Sequence, residues 1–226
     1  MSTFARTALA AGKPEVVSVD GSIESYEAIS RRFSSAPFHH ILSQAHALAC
    51  RAIVIEAIHP SDDIQEENED ILKRYRDAEF TGAWRIAFFS KPPANHIEEL
   101  TDREFIGYAV MKADSVPSRP DAPQVRVYES VMKPTEPADY IHRPPRWAVT
   151  VGAGTVNIAG YLYAQQNDMT NCCAHVAIRT AVSPFLAEGD ITYRDINRLL
   201  GVNHRSRKIG GERRRRRRKR RDPRGS

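Results

Sequence analysis

Cysteine is scarce in this chain: three among 226 residues, two of them adjacent at positions 172 and 173. Neighbouring cysteines do not make a disulfide framework, so all three thiols are expected reduced and the protein cytoplasmic. Long apolar runs are missing as well. None approaches the roughly 18–20 residues that cross a bilayer, so no membrane partner is expected. The first residues, Met1 to Ala11, hold no sustained apolar segment of the signal-peptide kind. There is no CxxC, HExxH or GxGxxG, and His39, His40, His46, His59, His96 and His142 are scattered without metal-ligand spacing. Neither a metal nor a nucleotide cofactor is therefore expected. Gly152-Ala-Gly154 reads as a hairpin turn, because no helix follows it and the third glycine of a phosphate loop is absent.

Excess positive charge is absent from most of the chain, although the net charge is +5. Residues 205–226 carry 13 of the 33 Lys and Arg and 2 of the 28 Asp and Glu, which leaves 20 basic and 26 acidic groups in residues 1–204. The body is mildly acidic and the basicity is a tail. The run Arg213–Arg221 would bind nucleic acid or anionic surfaces through counterion release. Without interleaved aromatics such contact is sequence-independent. The abrupt change of composition after about Gly210 is also what a shifted reading frame would produce.

What is present between these absences is an α+β pattern. Residues 1–20 show no period and are expected to be loose. Ser22 opens a helical stretch with Ile23, Tyr26, Ile29 and Phe33 on one face, and a second helix occupies about 38–47. Strands are expected at 49–58, 83–89, 104–111 and 124–131, where β-branched and aromatic residues concentrate between proline-rich loops. The acidic stretch from Ser61 to Arg76 reads as a surface helix with a solvated carboxylate face. A linker at 133–145 separates a mixed α/β module, residues 21–133, from a second unit, 146–204. The second unit begins with a hairpin, 147–151 and 155–159. It closes with a helix that Thr192-Tyr-Arg-Asp195 caps, that Ile196, Leu199 and Leu200 make apolar on one face, and that Gly201 ends.

The stretch Gln166 to Ala174 carries the chemistry. A thiol at a helix N-terminus feels the positive end of the helix dipole, which favours the nucleophilic thiolate. A side-chain amide one short loop upstream can donate to an oxyanion formed beside the sulfur. In a helix over 172–182 the alanines 174, 177 and 181 with Ile178 form a stripe suited to close packing, and His175 and Arg179 project to the other side, into solvent. The same pattern also fits two small buried cysteines.

Gln166 … Cys172-Cys173-Ala174 resembles the Gln…Cys…Ala motif of papain-like cysteine peptidases, including the C39-like bacterial branch. The resemblance extends over about 150–205. It implies the central-helix lobe of a papain-like domain, with Cys172 or Cys173 as nucleophile, Gln166 as oxyanion donor and a peptide or protein as substrate. Ile53–Ile58, Trp84–Phe89 and Phe105–Val110 are similar to the N-terminal region of bacterial proteins that carry such a domain. The departure lies in the base, which the family brings from a strand well downstream of the central helix. Here His204 is the one histidine after His175. The chain is thus expected to be truncated before its catalytic histidine, and inactive or incomplete as it stands. The competing expectation is a non-enzymatic protein whose basic arm contacts nucleic acid.

Overall fold

The computed structural model describes residues 3–6, 11–121, 124–134, 144–167, 169, 173–186 and 191–201. The fold is α+β. Its centre is a six-stranded antiparallel sheet in the order β2-β3-β4-β5-β6-β9. The strands are β2 (Glu15–Ser18), β3 (Ala52–Ala57), β4 (Glu79–Phe89), β5 (Phe105–Ser115), β6 (Val125–Met132) and β9 (Leu162–Tyr163). Both faces of β3, β4 and β5 are covered, so these strands read as nearly continuous apolar runs without the alternation of a half-exposed sheet. One face carries Ile53, Ile55, Ile86 and Phe88, packed under α1 (Glu24–Arg32) and α2 (Ala36–Ala47). The other carries Val54, Ala87, Phe89, Tyr108 and Val110, which meet Trp147, Val149 and Ile158 from a smaller sheet.

That smaller sheet has the order β1-β7-β8: β1 (Thr3–Arg6) runs parallel to β7 (Arg146–Val151), and β7 forms a hairpin with β8 (Gly154–Ala159). The two-residue turn is Gly152-Ala153, with Gly152 at φ +60°, the left-handed start that a type II′ hairpin turn requires. The Trp147 indole N–H donates to the Gly160 carbonyl at 2.9 Å, which ties the hairpin's exit to its first strand. The stretches 21–133 and 146–204 consequently share a core on the inner face of the large sheet. Most of the segment between them, 135–143, lies outside the described residues.

Helix α3 (Asp62–Arg74) lies on this second face, with Ile64 and Ile71 buried, beside α4 (Cys173–Val182) and α5 (Tyr193–Leu199). Three expectations are corrected. Residues 1–20 are not loose throughout, because β1 and β2 pair as strands; β2 is a mostly exposed edge strand held by its backbone ladder to β3, so no apolar period marks it. The acidic face of α3 is solvated only in part: Asp62 and Glu69 are exposed, but Glu67 and Asp70 are buried against cations. On α5, Ile196 is buried but Leu199 and Leu200 are exposed, because the seven-residue helix is under two turns long and turns only Ile196 and Asn197 inward.

Candidate thiol site and the ion network beneath it

The segment that follows β9 is pinned at alternate residues. Gln165 N–H donates to the Val127 carbonyl, and its side-chain Oε1 accepts from Ser35 Oγ and from Val127 N–H, each at 3.1 Å. Asn167, also buried, donates through Nδ2 to Glu67 Oε1 at 2.9 Å and accepts from Met169 N–H at 3.0 Å. Met169 packs with Ile71, Tyr75 and Val116, and its carbonyl accepts from the Tyr75 hydroxyl. Gln166, between two anchored neighbours, stays exposed. Its side-chain amide is therefore held toward solvent by a backbone anchored on either side.

Helix α4 begins at Cys173, the second of the paired cysteines. Cys172 lies outside the described residues. The rotation of α4 about its axis reverses the expectation. Ala174, Ala177 and Ala181 face solvent, whereas His175 and Arg179 are 2% and 1% exposed. The reason is a matter of magnitudes. Burying an alanine methyl yields about 0.8 kcal/mol, and three of them little more than 2. The buried carboxylate of Glu129 without a cation would cost more than that. Arg179 Nη2 reaches Glu129 Oε2 at 3.2 Å, approaches Asp63 Oδ2 at 3.8 Å, and its guanidinium lies 5.0 Å from the centre of the Tyr193 ring. Glu129 also accepts from the Tyr108 hydroxyl at 3.0 Å. Charge pairing, not apolar burial, orients this helix.

The surface that receives Arg179 is itself charged. Tyr108, Val110, Lys112 and Asp114 occupy alternate positions of β5 and so share one face. Lys112 lies directly across from Arg126 on β6, both about 1% exposed. Like charges opposed across a sheet repel unless anions stand between them. Glu67 of α3 supplies one: its Oε2 takes Lys112 Nζ at 2.9 Å and also bonds Arg126 Nη2. Asp114 supplies the other, at 3.1 Å from Lys112 and 3.3 Å from Arg126. Burial pushes the Glu67 carboxyl up, but the Arg126 and Lys112 cations outweigh it and hold the group at about 2. A β-bulge links the two clusters. Val127 pairs with Met111 and Glu129 with the adjacent Val110, so β6 gains one residue there and Glu129 turns to the same face as Arg126.

Between α3, α4 and α5 a small cleft remains, with Asp63, Glu66, Glu67 and Asp70 along its α3 wall. Arg194 of α5 spans that wall, at 3.4 Å from Glu66, 2.6 Å from Glu69 and 3.7 Å from Asp70. Lys73 adds a contact to Asp70 at 2.6 Å. Among the described residues, the ion pairs of this region join seven carboxylates (63, 66, 67, 69, 70, 114 and 129) to five cations (73, 112, 126, 179 and 194).

Gln166 and Cys173 flank residues 168 and 170–172, which lie outside the described residues, and the elements that carry them adjoin a network that residue spacing did not announce. The third cysteine is of another kind. Cys50 is fully buried, donates to the Ala52 carbonyl at 3.3 Å, and is pushed up to about 11 by burial. The His175 imidazole, expected in solvent, lies on the inward side of the first turn of α4. The Arg-rich run 205–226 lies outside the described residues. Among the described residues no helix is long and apolar enough to cross a membrane. No family model, curated protein or solved structure matches the chain.

Proposed function

We propose that the chain carries a thiol hydrolase site for peptide or isopeptide bonds, with a cysteine of the 172–173 pair as nucleophile, Gln166 as oxyanion donor and His175 as the base. The reading rests above all on His175, which is buried on the inward side of α4 two residues after Cys173. Helical side chains lean back toward the N-terminus, so an imidazole at 175 is directed over the turn that precedes it. The six-residue spacing from Gln166 favours Cys172 over Cys173 as the nucleophile. A base on the nucleophile's own helix removes the need for a distant strand to deliver one.

In this scheme the imidazole takes the thiol proton and the thiolate attacks the substrate carbonyl carbon. The oxyanion so formed is met by the Gln166 amide. The imidazolium returns the proton to the leaving nitrogen as the C–N bond breaks, leaving a thioester. Water, deprotonated by the same imidazole, then releases the acid and restores the thiol. The positive end of α4, roughly half a unit charge, favours the thiolate throughout.

The test is the pH dependence of alkylation by iodoacetamide, followed residue by residue by mass spectrometry. One of Cys172 and Cys173 is expected to react with a midpoint well below the free-thiol value of about 8.5, and His175→Ala to raise that midpoint. Cys50 serves as the unreactive reference in the same sample. A midpoint at the free-thiol value, or one that His175→Ala leaves in place, would sink the proposal.

A further inference from the structure

The cleft between α3, α4 and α5 encloses about 20 Å³. One water needs about 10–15 Å³ of such space, so the cleft admits a water and excludes an organic side chain. What lines it is a set of polar groups whose demands do not cancel among themselves. Tyr193, Arg194 and Asn197 come from one face of α5, since residues three and four apart on a helix are neighbours. Asn197 is 6% exposed, and its Oδ1 has no donor among the described residues. The Tyr193 hydroxyl proton and Arg194 Nε have no acceptor among them. Burial pushes the Tyr193 hydroxyl up, so it keeps its proton and stays a donor. The terminal nitrogens of Arg194 pair with Glu66 and Glu69, which fixes the side chain while Nε stays unused. Thr192 and Asp195 cap the start of α5 with reciprocal bonds, so the helix holds all three groups in place.

The occupant must accept hydrogen bonds from Tyr193 and Arg194 and give one to Asn197 Oδ1. An inorganic anion accepts from the two donors, but it has no proton for Asn197 and would face Glu66 and Glu67 along the α3 wall. A metal ion or ammonium suits Asn197 and the carboxylates, but it accepts nothing and would stand against the Arg194 guanidinium. Among the described residues no group of three or more His, Cys, Asp or Glu is arranged to hold a metal ion. Water is the species of this size that both accepts and donates, with about three bonds as its usual complement in a protein interior.

We infer that the cleft is the site of one resident water, which accepts from the Tyr193 hydroxyl and Arg194 Nε and donates to Asn197 Oδ1. Its second proton has the carboxylates of the α3 wall to meet. The water joins α5 to α3 where the anchored residues Gln165 and Asn167 also reach the cleft. It is thus part of the wall beside the Gln166 segment, and it stands on the cleft alone, with no need of a reactive thiol.

Measurements on the full chain in solution and in crystals test it. Magnetic relaxation dispersion of water oxygen counts the waters held for longer than the protein takes to tumble. Asn197→Leu keeps the size of the side chain and removes the acceptor, and is expected to lower that count by about one. Tyr193→Phe deletes a single donor and should release the same water or shorten its stay; it remains informative if Asn197→Leu does not fold. A count and residence time unchanged by both substitutions overturn the inference. In crystals, an isolated density peak is expected within about 3.2 Å of Asn197 Oδ1 and Arg194 Nε. Exchanging chloride for bromide and sodium for rubidium in the crystal solution reveals any ion by its anomalous scattering. A bromide or rubidium signal at that position overturns the inference in favour of an anion or a cation. A direct bond from Arg194 Nε to Asn197 Oδ1, with no peak between them, overturns it as well.

Discussion

Replacing Arg126 by methionine removes one charge from a buried quartet and leaves its shape nearly intact. In the native protein Glu67 and Asp114 balance Lys112 and Arg126, all four nearly or fully buried. Arg126→Met leaves two carboxylates and one cation, a net buried charge of −1, and stripping one partner from a buried pair costs about 3–5 kcal/mol. For a chain of this size that is a fall in Tm of about 10 °C. Glu67→Gln produces the opposite imbalance, two opposed cations with Asp114 alone between them, and should cost a similar amount. Combining the two restores neutrality. Lys112 keeps Asp114 at 3.1 Å, and the amide oxygen at position 67 can still accept from Asn167. The double variant should therefore lose only about 1–2 kcal/mol, the worth of the hydrogen bonds not remade. Urea unfolding followed by circular dichroism, on the four proteins of the cycle, measures the coupling. If the double variant is as unstable as the two single losses added together, charge balance is not what holds this interface.

Acid should find the same weak point. Glu67 is held at about 2 against an ordinary 4.5, so its contribution, roughly 3 kcal/mol, is complete above pH 4.5 and is lost as the pH falls toward 2. Unfolding free energy that stays level across that window would exclude the effect, and Arg126→Met should move the loss to higher pH. The sheet offers a steric counterpart at Gly107, where an added Cβ would stand 2.5 Å from the Val131 carbonyl oxygen of the neighbouring strand. Gly107→Ala is expected to cost about 1–3 kcal/mol, against no measurable change for Gly12→Ala, whose Cβ meets nothing within 4 Å. Equal melting temperatures for those two variants would show that the strands can spread without penalty.

The parts of this fold that could be read from residues alone are those fixed locally. The runs at 52–57, 79–89, 105–115 and 125–132 are strands because β-branched and aromatic residues fill them between turn formers. The start of α5 was legible to the residue: Thr192 Oγ1 accepts from Asp195 N–H at 3.1 Å, Asp195 Oδ2 accepts from Thr192 N–H at 3.2 Å, and Gly201 follows the helix at φ +60°. What escaped was decided at a distance. An acidic helix looks solvated until the strands beneath it prove to carry Lys112 and Arg126 face to face. One local sign was available, the alternation of Lys112 and Asp114 within an otherwise apolar strand, which puts opposite charges on one face of a buried sheet. The bulge that turns Glu129 to that face left no such sign, since a single extra residue in β6 is set by its pairing with β5. The start of α4 at Cys173 agrees with the helix expected over 172–182, whereas the burial of His175 was not legible, because it depends on which way α4 is rolled.

That roll connects the network to the thiol. Apolar burial is non-directional, and a helix whose inward face were three alanines could turn some tens of degrees at little cost. α4 is not free in this way, because the Arg179 guanidinium must meet Glu129 at 3.2 Å while Glu129 holds the Tyr108 hydroxyl at 3.0 Å. Hydrogen bonds weaken steeply with misalignment, so this chain fixes the helix about its own axis as well as along it. Each degree of rotation at Arg179 is also a rotation at His175 and Cys173, one and nearly two turns nearer the N-terminus. On the other side of the loop, Asn167 donates to Glu67, the carboxylate that Lys112 and Arg126 share. Both arms of the candidate site, the helix that starts at Cys173 and the strand-like segment that presents Gln166, therefore end on ion pairs of the same sheet face. Buried charge thus anchors both arms, and a substitution at Arg126 or Glu129 is expected to shift α4 against the Gln166 segment.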